Sequence, residues 1–83
     1  MSPRQISKAD VRRTIAEFLA GTGGRWDWDD FISIRLKDPE LERVRRIAGA
    51  LPERFPPGLT GGYCSDEGRE VLRQLLDDPA LRE

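Results

Sequence analysis

Histidine is absent from the 83 residues, and cysteine occurs once, as Cys64. The first absence removes the commonest general base, the commonest zinc ligand and every Ser-His or Cys-His arrangement. The second excludes an internal disulfide framework. No apolar run approaches the ~18 residues that suggest a membrane-spanning helix, and no secretory leader is recognisable. A cytoplasmic protein with no membrane segment is expected. Apolar mass is also scarce, at 37% of residues against 35% charged. A chain this short buries roughly 60–65% of its unfolded surface, so a deep substrate pocket would compete with the core for the same side chains. A surface-acting protein, or a homo-oligomer, suits such a composition better.

The charge is strongly patterned behind a net value of −1. Residues 1–25 and 43–59 are each net +3, whereas residues 26–42 are −4 and residues 60–83 are −3. Blocks of alternating sign satisfy one another when helices fold back as neighbours. They leave no broad basic footprint for nucleic acid.

Hydrophobic periodicity predicts an all-α fold: a small single-domain bundle over residues 1–83, with three main helices and one short one. The first helix spans about 7–20. Ser7 and Asp10 are spaced as a capping box, Ile6 and Val11 as a hydrophobic staple. Val11, Ile15, Phe18 and Leu19 form its apolar stripe, and Gly21 in "GTGG" is placed for a left-handed stop. A short helix covers about 27–33. A third runs about 38–51, with Asp38 as cap, Pro39 at the first helical position, and Leu41, Val44, Ile47, Ala48 and Leu51 facing inward. Gly49 near its end weakens it and allows a close helix contact. Residues 52–64, "PERFPPGLTGGYC", read as a loop laid on the helices through Phe55, Leu59 and Tyr63. Ser65 then caps a last helix over about 65–77, which buries Val71, Leu72, Leu75 and Leu76, and "DPALRE" adds a further turn. "FISIRL" alternates too briefly to pair as a strand. No internal repeat is present.

The stretch "WDWDDFIS" at 26–33 carries the chain's densest chemistry. A calcium loop requires glycine at its sixth position and glutamate at its twelfth; counted from Asp27, these are Ile32 and Asp38. A magnesium site on Asp27, Asp29 or Asp30 asks for fewer ligands, and it would make the chain a metal-dependent hydrolase. The structural reading takes Asp27 as N-cap, Asp30 at the third helical position, and Trp26 against Phe31 as a staple. It accounts for more of the residues, and no metal or other cofactor is expected. "GTGG" follows a helix and lacks the lysine of a phosphate loop. Cys64 precedes a helix N-terminus, where a thiolate is favoured, yet no base accompanies it. Arg43, Arg45 and Arg46 offer a nucleic-acid reading, without the interleaved aromatics of a stacking platform.

The segments "WDDF", "DPELE", the proline-rich loop and "YCSDEG", together spanning roughly residues 14–76, resemble a group of small bacterial proteins of unassigned function. The resemblance brings no activity, cofactor or catalytic residue with it. The expectation is a non-enzymatic, protein-binding module of the regulator or immunity type. Its interaction surface would join the Trp26–Asp30 turn to the 52–64 loop, through Trp26, Asp29, Phe55, Tyr63 and Arg45.

Overall fold

A computed structural model describes residues 5–22, 25–58 and 62–82, the side chains of residues 25–27 excepted. The elements are α1 (Lys8–Ala20), α2 (Arg25–Ser33), α3 (Pro39–Arg54), α4 (Asp66–Leu76) and a 3-10 turn, η1 (Pro79–Leu81). The fold is all-α, with no strand among the described residues. α1 packs on α2, α4 and η1, and α3 closes the other side against α2, α4 and η1.

α1 starts and stops as its residues demand. Ser7 Oγ accepts from the Asp10 N–H at 3.1 Å, and the Ser7 N–H donates back to Asp10 Oδ2 at 3.4 Å. At the other end Gly21 adopts φ 73°. Its N–H bonds to Phe18 O at 3.2 Å, and the Thr22 N–H to Glu17 O at 3.0 Å. This is the doubled closure that a left-handed residue permits. Val11 and Ile15 are fully buried.

α2 departs from expectation at its start. The helix is already wound at Arg25, so Asp27 lies in its first turn and is not its N-cap, and Trp26 is inside the helix rather than before it. A carboxylate is favoured in a first turn as well as at a cap, and nothing at positions 25 and 26 breaks a helix. The expected Trp26 staple falls on a side chain outside the described residues. Trp28 and Phe31 carry the buried face, with Ile32 half-buried beside them.

α3 is capped by Asp38, whose Oδ1 accepts from Glu40 N–H at 2.8 Å and Leu41 N–H at 3.2 Å. It runs three residues past the expected end, through Pro52 to Arg54. A proline costs an interior helix one hydrogen bond, that to the carbonyl four residues earlier; here that carbonyl is Ala48 O. The ladder resumes beyond it, with Phe55 N–H bonding Leu51 O at 2.7 Å. The connection to α4 is correspondingly shorter than the predicted 52–64 loop.

α4 begins after Ser65, whose hydroxyl makes no capping bond although its backbone holds the cap position. Ser65 is instead fixed by its main chain: its N–H donates to Phe55 O at 2.9 Å, and its carbonyl accepts from Arg69 N–H at 3.1 Å. Leu72 and Leu75 are buried, while Val71 and Leu76 are half-buried. The final turn contributes more core than its length suggests. Asp78 caps it by accepting from Ala80 N–H at 2.9 Å, and Ala80 and Leu81 are both buried.

Candidate functional site

Two clusters gather the chain's most constrained side chains. In the first, Phe18 of α1 stacks on Trp28 of α2 with ring centroids 4.1 Å apart, and Tyr63 stands edge-on to both at 5.6 Å. Phe31 tilts against Trp28 at 5.4 Å. Such offset and edge-to-face arrangements follow the ring quadrupoles. The Tyr63 hydroxyl donates to Ala48 O at 2.8 Å, supplying the bond that Pro52 withholds. Burial raises the Tyr63 pKa above 10.0, and the nearby Asp29 carboxylate adds to the effect. Among the described residues the Trp28 indole N–H has no hydrogen-bond partner.

The "YCSDEG" segment is built for close approach. A Cβ placed on Gly68 would stand 2.8 Å from Cys64 Sγ, 2.9 Å from Cys64 Cβ and 3.2 Å from Phe55 Cβ. Contacts that short do not persist, so Gly68 is what lets Cys64 and Phe55 lie on the first turn of α4. Cys64 is 8% exposed, and burial pushes its thiol pKa up, with Arg69 pulling the other way. It is a packing residue there. Arg69 itself donates to Leu19 O at 2.9 Å and lies over the Phe18 ring, so it closes the end of α1.

The second cluster is ionic. Glu42 is 7% exposed. Its two oxygens accept from Arg45 Nε and Nη2, both at 2.6 Å, from Arg46 Nε at 2.9 Å, and from Leu36 N–H at 2.9 Å. Arg45 also donates through Nη1 to Ile32 O at 2.6 Å. The Arg45 guanidinium is the main cause that lowers the Glu42 pKa to about 2 against the opposing cost of burial, with Leu36 and Arg46 adding to it. The carboxylate thus ties the end of α2 and the α2–α3 connection to α3.

The residues named from sequence divide between these places. Tyr63 and Phe55 are half-buried, Asp29 is exposed, and Tyr63 meets Trp28 where α2 and the loop come together. Arg45 does not join them: it is consumed by Glu42 and Ile32. The Trp26 side chain, and the Asp27 carboxylate of the metal alternative, lie outside the described residues. Asp29 and Asp30 are exposed neighbours on a helix, diverging by about 100°. Among the described residues no three Asp, Glu or Cys side chains group as metal ligands would. Arg43 pairs with Asp78 at 2.8 Å, which spans α3 to η1. Trp28 shares its buried face with Phe31 and Ile32, as helical spacing indicates, whereas the roles of Gly68 and Glu42 were not evident from the sequence. The i, i+3 and i, i+4 spacing of Glu42 to Arg45 and Arg46 was the available signal for the last.

Shallow concavities lie among the described residues. One of about 440 Å³ lies between Gly58 and Arg69, beside Tyr63, Cys64 and Asp66. One of about 340 Å³ runs between α1 and α2 past Asp10, Arg13, Glu17 and Asp30. A third, of about 250 Å³, lies by Gln5, Lys37 and Leu41. No helix of the described residues is long and apolar enough to cross a membrane.

No family model matches the chain, and no solved structure matches it. The resemblance carried by "WDDF" and "YCSDEG" therefore has no family model behind it. A GMP synthase (glutamine-hydrolyzing) of Streptococcus uberis is 30% identical over 69 residues. That match covers 83% of this chain but 12% of the synthase, so the chain spans a small part of that relative's length.

Proposed function

We propose that the chain is a small cytoplasmic binding module that acts on another protein without catalysing a reaction, as a bacterial regulator or immunity-type protein does. The observation that supports this most directly is the meeting of Trp28 and Tyr63 at 5.6 Å. It sets the exposed Asp29 beside Tyr63, in a connection whose Pro56, Pro57 and Gly58 are exposed and whose Phe55 is half-buried. A rigid aromatic base under an exposed, irregular rim is the kind of patch from which interfaces draw their anchors. The amide hydrolysis in the synthase's name finds no support in Cys64, whose thiol is buried and held in its neutral form.

The test is capture of a partner from the native host by the tagged chain. Asp29→Lys, an exposed change outside the core, should abolish capture while leaving the helical circular dichroism intact. A wild-type protein that stays monodisperse and captures nothing at native expression levels argues against the reading.

A further inference from the structure

Arg46 presents a guanidinium whose orientation the fold has already set. Its Nε donates to Glu42 Oε2 at 2.9 Å while the side chain remains 62% exposed. The Glu42 charge is matched by Arg45, which takes both carboxylate oxygens and is only 16% exposed. Arg46 therefore adds a positive charge that Glu42 orients without neutralising. The same carboxylate holds the Leu36 N–H, which brings the α2–α3 connection to this point. Leu36 turns inward, and its neighbours Arg35 and Lys37 are exposed.

From this juxtaposition we infer that the α2–α3 corner, through Arg46, Arg35 and Lys37, docks a short acidic segment of a partner protein. A guanidinium held at Nε offers its two outer nitrogens as a planar fork, the geometry that grips a carboxylate in two bonds. Holding it in advance reduces the ordering cost of binding. The flanking cations meet neighbouring carboxylates. Nucleic acid fits less well, because a long polyanion needs a continuous basic track. Here the exposed Asp29, Asp30, Asp38 and Glu40, close along the chain to Arg35 and Lys37, interrupt it. The inference rests on the reading of the chain as a binding module but uses residues other than Asp29 and Tyr63.

The test is fluorescence anisotropy of a labelled hexaglutamate peptide at low ionic strength. The wild type should bind in a salt-sensitive manner, with Arg46→Ala weakening affinity about tenfold. Arg35→Ala and Lys37→Ala should each weaken it about two- to fivefold. Arg46→Lys keeps the charge but not the fork, and should lose most of what Arg46→Ala loses. Arg12→Ala on α1 should change nothing. Equal affinity in the folded R35A/K37A/R46A variant overturns the proposal. So does tighter binding of a single-stranded oligonucleotide through the same three residues, which would assign the corner to nucleic acid. A wild-type dimer in sedimentation that Arg46→Ala dissociates overturns it in favour of a second copy of the chain. Host capture that is lost with Asp29→Lys but kept in the triple variant would sink this inference alone. Absence of any capture would count against the broader reading while the peptide titration still decides the corner.

Discussion

The Tyr63 hydroxyl donates to the carbonyl of Ala48, the one acceptor in α3 whose helical partner is missing because Pro52 has no N–H. Ala48 is fully buried, so an unpaired carbonyl there would carry the desolvation cost of a buried polar group. The proline inside the helix and the tyrosine in the connection are thus two halves of one arrangement. Tyr63→Phe should cost about 1 kcal/mol or somewhat more in urea denaturation. In a Pro52→Ala background the new N–H serves Ala48, and the same change should cost little. An equal cost in both backgrounds would show the two residues to be independent.

Gly68 and Gly49 should respond oppositely to alanine. At Gly68 the added methyl meets Cys64 Sγ at 2.8 Å, and overpacking of that kind typically costs about 1–3 kcal/mol. At Gly49 the nearest atoms are Ile32 O at 3.8 Å and Ile32 Cβ at 3.9 Å, which is ordinary contact. Gly49→Ala should therefore stabilise by about 0.5–1 kcal/mol through helix propensity and the unfolded chain. Cys64→Ala should relieve Gly68→Ala only in part, because the Cys64 Cβ at 2.9 Å remains. A Gly68→Ala protein as stable as wild type would contradict the close packing.

The Glu42 carboxylate makes the chain acid-sensitive in a definite window. Its pKa is depressed from 4.5 to about 2 in the folded state. The unfolded chain therefore binds the proton first, and the stabilisation is complete above about 4.5. It is lost progressively as pH falls towards 2. Its size at neutral pH is on the order of 3 kcal/mol. Glu42→Gln should remove roughly 2–4 kcal/mol, since Arg45 is left without its counter-charge. It should also flatten most of the stability loss between pH 4.5 and 2. Asp10 and Asp78, whose pKa values are also lowered, would retain a smaller slope. A Glu42→Gln protein with the full acid transition would assign that transition elsewhere.

How far the fold was legible depended on whether its cause was local. The capping box at Ser7, the Gly21 stop and the Asp38-Pro39 start are short-range chemistry, and each stands where its residues indicate. The α2 start was misplaced because an aspartate suits a cap and a first turn alike. Asp27→Ala should accordingly cost no more than the ~0.3–1 kcal/mol of a dipole contact. Asp38→Ala should cost ~0.5–2 kcal/mol as a true cap loss, and thermal melts of the two variants give the comparison. A larger loss at Asp27 would restore it as the cap. The continuation of α3 through Pro52 depends on Tyr63, eleven residues further along the chain, and no local rule reports such a partner. The candidate surface divided for the same reason. Tyr63 and Asp29 approach only through tertiary packing, whereas Arg45 is withdrawn by a carboxylate three residues before it, a pairing that the helical spacing already allowed.

Cys64 offers a direct test of whether any thiol chemistry belongs to this chain. A cysteine before a helix N-terminus is normally made more acidic by the aligned amides, and Arg69 acts in that direction here. Burial wins, because the sulfur is packed against Gly68 with little access to water. The thiolate, which is the nucleophile, is therefore scarce at neutral pH, and the reagent's path is blocked as well. Alkylation by iodoacetamide should run well below the rate for free cysteine and should accelerate in parallel with unfolding in urea. Labelling at or above the free-cysteine rate in the folded protein would mean an open, activated thiol. The buried-packing account of "YCSDEG" would then have to yield to a chemical one.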